Sequence, residues 1–184
     1  MSDGIRRLEL EQCDRELQDF LRPTVERLGY FGEFFQVAGH VPESITTFMK
    51  FTAAVKAPLS DRQNELLALT VCAALGGDYE RIQHERLSVR LGLDKAWIAA
   101  LTGRADADED LLTDEDKALR NLALAVVERR GVDVDAELRA VRACLDEEKT
   151  VAAMLQITRF SLIATLNNAF AMKLPVPSIF DAEA

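Results

Sequence analysis

The stretch LSDRQNELLALTVCAALGGDYERIQHERLSVRLGLDKAWIAAL, residues 59–101, decides how the chain folds. Ser60 and Gln63 have the spacing of a capping box, which predicts a helix start. Apolar residues follow at helical spacing as far as Gly76 and Gly77, and this glycine pair predicts that one helix ends and another begins. Asp78 is placed to cap the second helix.

The rest of the chain also shows helical patterns, and strand patterns are weak throughout. We therefore predict an all-α fold, a single domain over residues 1–184 with about eight or nine helices. The predicted helices cover residues 8–28 (with an interruption and a second helix start near Pro23), 42–55, 60–75, 79–91, 95–101, 113–130, 135–144 and 147–173. We expect loops after Gly29, over the acidic residues 103–112 and in the tail PVPSIFDAEA. The last helix is apolar around most of its circumference, which indicates a central or interface helix.

Composition excludes several classes of protein. The 184 residues are 48% apolar, which is typical of a globular protein, and their formal net charge is -9. This charge disfavours a surface that neutralises many phosphates, so we expect no nucleic-acid partner. The charged N-terminal residues do not resemble a secretory signal, and no apolar run approaches the roughly 18 residues of a membrane span. We expect a soluble, cytoplasmic protein without a membrane partner.

The cysteines and histidines do not suggest a metal or disulfide protein. Cys13, Cys72 and Cys144 are odd in number and far apart in sequence, so we expect three reduced thiols. Cys72 lies in an apolar run, where a buried and inert cysteine is usual. With only two histidines in the chain, no metal cluster of ordinary ligand spacing can be assembled. No metal or cofactor is expected.

One candidate site stands out around His84. Gly77, Glu80 and His84 share a helix face, so Glu80 can reach His84 and favour its charged form. Glu65 can approach the same point if the glycine pair folds the two helices together. Two carboxylates and a histidine are the parts of a general acid/base site. Tyr79 adds a phenol donor that could bind a substrate.

The same residues also allow a structural interpretation. Glu80 and His84 can form an ordinary solvated helix pair. Glu65 can face water and pair with Arg62, and Tyr79 can be part of the core. The other histidine, His40, precedes a helix start, and we predict that it serves the local backbone.

The pattern E-x11-G-x-Y-E-x3-H, which begins at Glu65 and ends at His84, resembles the carboxymuconolactone decarboxylase and alkylhydroperoxidase D superfamily. The resemblance is densest over residues 59–101 and weaker over 30–173. In the peroxidase branch the pattern is E-x11-C-x-x-C-x3-H, where a cysteine pair does the redox chemistry and the Glu and His relay protons. Gly77 and Glu80 stand at the two cysteine positions, so the chain is similar to the branch that lacks them.

The resemblance implies a helical bundle of the alkylhydroperoxidase D type, assembled as a homo-oligomer, a trimer or hexamer. It further implies a cofactor-independent lyase or isomerase that acts on a small carboxylated or lactone substrate. Loss of carbon dioxide would leave a delocalised anion, which His84 would protonate with Glu80 orienting it and Glu65 completing the relay. A thiol peroxidase is disfavoured because peroxide reduction needs a thiolate. The alternative is a non-catalytic oligomeric binding protein on the same fold.

A carboxylated substrate raises the question of a cation. An acidic site is a poor receptor for an anion unless positive charges offset it. Arg81, Arg86 and Arg159 are the candidates. Arg159 lies in the apolar run MLQITRFSLIATL, where an arginine is either paired in a pocket or, more commonly, extends to solvent.

Overall fold

The computed structural model describes residues 4–104 and 108–181. This part of the chain contains nine α-helices, two short 3₁₀ helices and no strand, which confirms the all-α prediction. The α-helices are α1 (Arg15–Leu28), α2 (Glu33–Ala38), α3 (Pro42–Lys56), α4 (Asp61–Ala74), α5 (Asp78–Arg90), α6 (Lys95–Leu101), α7 (Asp114–Arg129), α8 (Asp135–Cys144) and α9 (Glu147–Ala169). The 3₁₀ helices are Leu10–Gln12 and Glu109–Leu111.

Helix α4 lies at the centre of the fold because, from Leu66 to Ala74, its side chains are apolar on nearly every face. Leu66, Leu67 and Leu69 have no exposed surface, and α4 packs against α5, α6, α7 and α9. A helix that is apolar all round is expected in an interior. Its start is the predicted capping box, in which Ser60 accepts a hydrogen bond from the Gln63 backbone N–H.

The glycine pair ends α4 as predicted. Gly76 has a φ of 63°, and the Gly77 N–H donates to the Cys72 carbonyl at 2.7 Å. This left-handed glycine with its backward hydrogen bond is a Schellman motif, which allows α5 to begin directly after α4. The prediction that Asp78 caps α5 was wrong. Gly77 is the N-cap, and the Asp78 carboxylate instead accepts from Arg81.

Two predictions failed in the N-terminal part. Helix α1 runs unbroken through Pro23 and ends at Gly29, so no second helix starts there. Burial of Leu17 and Leu21 on one face of α1 stabilises it enough to tolerate the missing backbone donor of an exposed proline. Helix α2 lies where a loop was predicted. The sequence does not indicate this helix because six residues are too few to show a helical period.

The remaining helix boundaries agree with the predictions within a few residues. Asp94 caps α6 and Thr113 caps α7, and α8 has the predicted bounds. Helix α9 ends at Ala169, four residues before the predicted end. The predicted loop 103–112 contains a 3₁₀ helix, and its residues 105–107, like tail residues 182–184, lie outside the described residues.

Helix α9 is central, because it packs against α3, α4, α5, α7 and α8. Its Ile157 and Phe160 are buried. Four other apolar side chains of α9 are 37–59% exposed on a second face: Val151, Leu155, Leu162 and Leu166. None of the helices in the described ranges is long and apolar enough to cross a membrane.

Two groups of buried apolar side chains define where the site lies. The larger group joins α4, α6, α7, α8 and α9, and the smaller one joins the N-terminal helices to Tyr79 of α5 and Ile163 of α9. The candidate site lies where the two groups meet, between α1–α3 on one side and α4, α5 and α9 on the other.

Gly77 allows α9 to approach the α4–α5 turn closely. A Cβ at position 77 would lie 2.9 Å from the Cβ of Ala164, which is shorter than van der Waals contact. We expect Gly77→Ala to lower the free energy of unfolding by about 1–3 kcal/mol, the usual cost of overpacking. Urea denaturation of the purified variant measures this change.

The double variant with Ala164→Gly tests the cause. If the two Cβ atoms collide, the double variant is less destabilised than the sum of the two single changes, although Ala164→Gly itself costs about 1 kcal/mol in a helix interior. Strict additivity would contradict this explanation.

Candidate functional site

The structure brings Glu65, Glu80 and His84 together. His84 Nδ1 lies 2.7 Å from Glu65 Oε2, and His84 Nε2 lies 3.5 Å from Glu80 Oε2. The first contact is a short hydrogen bond and the second is a longer electrostatic contact. Glu65 and Glu80 are 1% and 6% exposed, so both carboxylates are removed from water.

The fold explains how these side chains meet. Glu65 lies on α4, and the Gly76-Gly77 turn folds α5 back so that His84 faces it. Ser88, one turn after His84, donates from its hydroxyl to the same Glu65 oxygen at 3.4 Å. The structural alternative in which Glu65 faces water and pairs with Arg62 is therefore wrong. Arg62 is bonded to Asp116 of α7 instead.

Helix α9 forms the opposite wall. The ring of Phe160 meets the His84 ring edge to face, with centroids 5.0 Å apart. Asn167 donates its amide to Glu80 Oε1 at 3.4 Å. These contacts fix the imidazole and the second carboxylate from the side that α4 leaves open.

His84 is a charged group in this environment. Burial disfavours the imidazolium, but the carboxylates of Glu65 and Glu80 outweigh this effect and raise the pKa of His84 from 6.5 to about 9. At neutral pH the His84 ring is therefore the imidazolium, with protons on both nitrogens, and its Nδ1–H donates to Glu65. A histidine in this state is a proton donor first and a base only after it has given up its proton.

A cavity of about 190 Å³ adjoins the imidazole. This volume suits a small organic molecule and no larger ligand. Aromatic and polar side chains line it together, and they include Phe34, Phe48, Tyr79, Glu65, Glu80, His84, Arg159 and Phe160. The cavity therefore combines aromatic surface with ionisable groups that several helices contribute.

Tyr79 lies in the cavity wall and is 5% exposed. Its hydroxyl accepts a hydrogen bond from the Phe34 backbone N–H at 3.4 Å, which ties α5 to α2. Burial and the nearby Glu80 raise the pKa of Tyr79, so it stays a neutral phenol. Tyr79 belongs both to the N-terminal apolar group and to the cavity.

The structure separates the three candidate arginines. Arg81 bonds Asp78 and Glu85, and Arg86 is exposed and donates to the Pro177 carbonyl. Arg159 lines the cavity and is 7% exposed, so the commoner expectation that it extends to solvent was wrong. Burial lowers the pKa of Arg159, as expected for a cation removed from water.

Several site residues escaped the sequence prediction. Ser88 lies four residues after His84, so helical spacing alone could have indicated it. Gln156 and Asn167 had only one signal, that each is a polar residue within the long apolar helix α9, and Asn64 had none, since it lies in the polar run that starts α4. Such residues are expected to find buried hydrogen-bond partners, but the sequence does not show which.

The other histidine and the three cysteines do not line the cavity. His40 Nε2 contacts the Arg6 carbonyl at 2.9 Å, which fits a structural role, although that carbonyl is not local in sequence. Cys13, Cys72 and Cys144 are free thiols, and burial raises the pKa of Cys72 well above its usual range. Among residues 4–104 and 108–181, no three His, Cys, Asp or Glu side chains are grouped so that they could hold a metal ion.

The family model of the carboxymuconolactone decarboxylase family matches residues 40–111, which contain Glu65 and His84. Solved structures of AhpD-like proteins share the helical fold of the chain. Residues 40–111 are therefore similar to the carboxymuconolactone decarboxylase family, and the chain has an AhpD-like helical fold. Gly77 and Glu80 stand at the two positions that cysteines occupy in the peroxidase form of the pattern.

Three solved structures illustrate the shared fold. A protein of unknown function from Agrobacterium tumefaciens, named provisionally as the antioxidant defence protein AhpD, is 21% identical, with a TM-score of 0.69 over 76% of this chain and 96% of that one. An uncharacterised peroxidase-related protein from Ralstonia eutropha JMP134 is 17% identical, with a TM-score of 0.79 over 94% and 93%. A variant of the debrominase Bmp8 in complex with 2,3,4-tribromopyrrole is 14% identical, with a TM-score of 0.80 over 96% and 94%. No curated protein matches the chain significantly.

The charged His84 makes stability depend on pH in a defined direction. Because the pKa of His84 is about 9 in the folded chain and 6.5 ordinarily, the folded state binds more protons between these values. The stabilisation of the folded state by charged His84 is fully present below pH 6.5 and is lost as the pH rises to about 9. The free energy of unfolding should change by roughly 3 kcal/mol over this range.

Urea unfolding at a series of pH values checks this expectation. The wild type should lose stability over this range, and His84→Gln should show a flatter profile. His40→Gln, the same substitution at the other histidine, controls for the change itself. Parallel profiles for the wild type and His84→Gln would contradict the assignment.

Proposed function

We propose that the chain is a cofactor-independent enzyme of the lyase or isomerase type that acts on a small carboxylated or lactone substrate. We also propose that it forms a single domain and is cytoplasmic. The observation that carries the proposal is the 2.7 Å hydrogen bond between His84 and the buried Glu65 in the wall of a small cavity. A proton donor next to a mostly apolar, metabolite-sized space is the arrangement expected of acid/base catalysis.

The chemistry would proceed as follows for a decarboxylation. The bond between the substrate carbon and its carboxylate breaks, carbon dioxide leaves, and the electron pair moves into a conjugated carbonyl of the substrate. The His84 imidazolium then gives its proton to carbon, and the neutral imidazole takes a proton back from water. The substrate accepts the electrons itself, so no electron carrier takes part. In an isomerisation, the proton would instead be removed from one carbon and returned to another.

Each residue of the site has a distinct role in this proposal. Glu65 holds Nδ1 and keeps the ring charged, and Glu80 orients the ring from the Nε2 side. The 3.5 Å contact to Glu80 is longer than a strong hydrogen bond, so the Nε2 proton is the one available for transfer. Tyr79 would bind the substrate through its ring and phenol at the cavity wall.

The alternative is a non-catalytic oligomeric binding protein with the same cavity. Enclosure of the charged His84 by two carboxylates favours the enzyme, because simple binding does not require a proton donor. A thiol peroxidase is disfavoured because Gly77 and Glu80 replace the motif cysteines. Cys72 has no exposed surface and a raised pKa, so it does not supply a thiolate in their place.

Turnover of unsaturated lactones that carry a carboxylate tests the proposal. Carbon dioxide release from such a panel should fall at least about 100-fold in His84→Gln, the usual contribution of a general acid. In Glu65→Gln, the pKa of His84 should fall, so activity should disappear at a lower pH than in the wild type. The wild type should lose its acid form only near pH 9.

His40→Gln is the matched control and should retain full activity, because His40 lies outside the cavity. Equal turnover by the wild type and His84→Gln would refute the catalytic assignment. Ligand binding to the cavity without turnover of any member of the panel would favour the binding-protein alternative.

We further propose that the protein is a homo-oligomer, a trimer or hexamer. The support is the exposed apolar face of α9, where Val151, Leu155, Leu162 and Leu166 are aligned by helical spacing. Contiguous apolar surface of this kind is typical of protein contacts.

Light scattering should give a mass three or six times that of the 20.5 kDa chain. Leu162→Glu should lower this mass, because a charge on the apolar face opposes its burial. Val132→Glu, at a 60% exposed position between α7 and α8, should leave the mass unchanged. A wild-type mass of 20.5 kDa would contradict the assembly.

A further inference from the structure

Arg159 is a buried cation without an ionic partner. Its side chain lines the cavity beside His84, and the residue is 7% exposed. Within the described residues its guanidinium makes one hydrogen bond, from Nε to Gln156 Oε1 at 2.6 Å, and no carboxylate lies within ion-pair distance of it. Arg62 and Arg81 are more exposed than Arg159, and both nevertheless pair with carboxylates. A buried charge that lacks a counterion is costly, which suggests that a ligand supplies one.

We propose that Arg159 binds a carboxylate of the ligand and thereby places the rest of the ligand against His84. The inference rests on the proposed function in that it names the recognition group of the same cavity. The planar guanidinium still has its two Nη groups to offer, and these match the two oxygens of a carboxylate.

A buried polar chain holds Arg159 in this orientation. Gln156 is 1% exposed, and its amide nitrogen donates to Asn64 Oδ1 at 2.6 Å. Asn64 in turn donates to the Leu59 and Ser60 carbonyls at the start of α4. Because the Gln156 nitrogen is engaged in this way, its oxygen must face Arg159 Nε. The guanidinium is therefore oriented before any ligand arrives, which lowers the cost of binding.

Arg159 and His84 are close enough to act on one small molecule. The Arg159 Cζ lies 3.8 Å from the centroid of the Phe160 ring, and His84 meets the same ring at 5.0 Å. A ligand only a few bonds long can therefore reach both groups. Phe160 provides an apolar surface between the anchored carboxylate and the carbon that would receive the proton.

Charge in the cavity favours an anionic ligand. Glu65 and Glu80 are offset by the charged His84 and by Arg159, and the exposed Arg27 and Arg90 also line the cavity. These cations attract an anion despite the overall charge of -9.

Binding of benzoate and of its neutral isostere benzamide tests the inference without requiring turnover. Titration calorimetry should show that the wild type binds benzoate at least about tenfold more tightly than benzamide, as expected for charge-assisted hydrogen bonds. Arg159→Gln should remove this preference, and Arg159→Lys should retain part of it. Benzamide binding should be equal in all three proteins, which shows that the cavity remains folded.

Two further variants separate this inference from the proposed function. Arg86→Gln changes an exposed arginine of α5 outside the cavity and should keep the benzoate preference. His84→Gln should still bind benzoate, even though it should fail in turnover. Carboxylate binding with no turnover of any substrate would refute the proposed reaction but would still support carboxylate binding by Arg159.

Other outcomes would overturn the inference. Absence of saturable benzoate binding to the wild type, or an unchanged preference in Arg159→Gln, would show that Arg159 is not the anchor. Arg159 also borders a surface hollow between α3 and α9 lined by Glu43 and Leu162. A changed oligomer mass in Arg159→Gln, with benzoate binding intact, would assign the guanidinium to a subunit contact instead.

Discussion

The hydrogen bond between Glu65 and His84 is the interaction on which the rest of the site depends. An ionised carboxylate that is 1% exposed is strongly destabilising unless it is paired and hydrogen-bonded. His84 and Ser88 supply these partners from one face of α5, so the same contacts hold α5 against α4. The Schellman turn at Gly76 is what folds α5 back to this position. The Gly76 turn therefore brings His84 to Glu65, and the hydrogen bond between them in turn holds α5 in the position that the turn sets.

The two former cysteine positions now serve this arrangement. Glu80 adds a second carboxylate that stabilises the imidazolium, and Gly77 leaves the space that Ala164 of α9 fills. Close approach of α9 in turn places Phe160 on the imidazole and Arg159 in the cavity. Where the peroxidase form of the pattern has cysteines, this chain has one carboxylate that contacts the imidazole and one glycine that leaves room for a neighbouring helix.

Local signals made much of this predictable from the sequence. Helix ends are marked by the capping residues Ser60 and Thr113 and by the glycine pair, because these act on backbone groups only a few residues away. Helical spacing alone puts Glu80 and His84 on one face. Partners from distant helices were not predictable. The link from Gln156 to Asn64 depends on how α9 crosses α4, and nothing local encodes it. Pro23 shows the reverse case, in which packing of α1 overrides a local helix breaker.

The protonation state of His84 underlies proton donation, the pH dependence of stability and the charge balance of the cavity. Nitrogen-15 NMR of the histidine rings reports the protonation of both ring nitrogens. We expect both ring nitrogens of His84 to be protonated at neutral pH and one of them to lose its proton near pH 9. A His84 ring that is already neutral at neutral pH would show that Glu65 and Glu80 do not hold a proton donor between them.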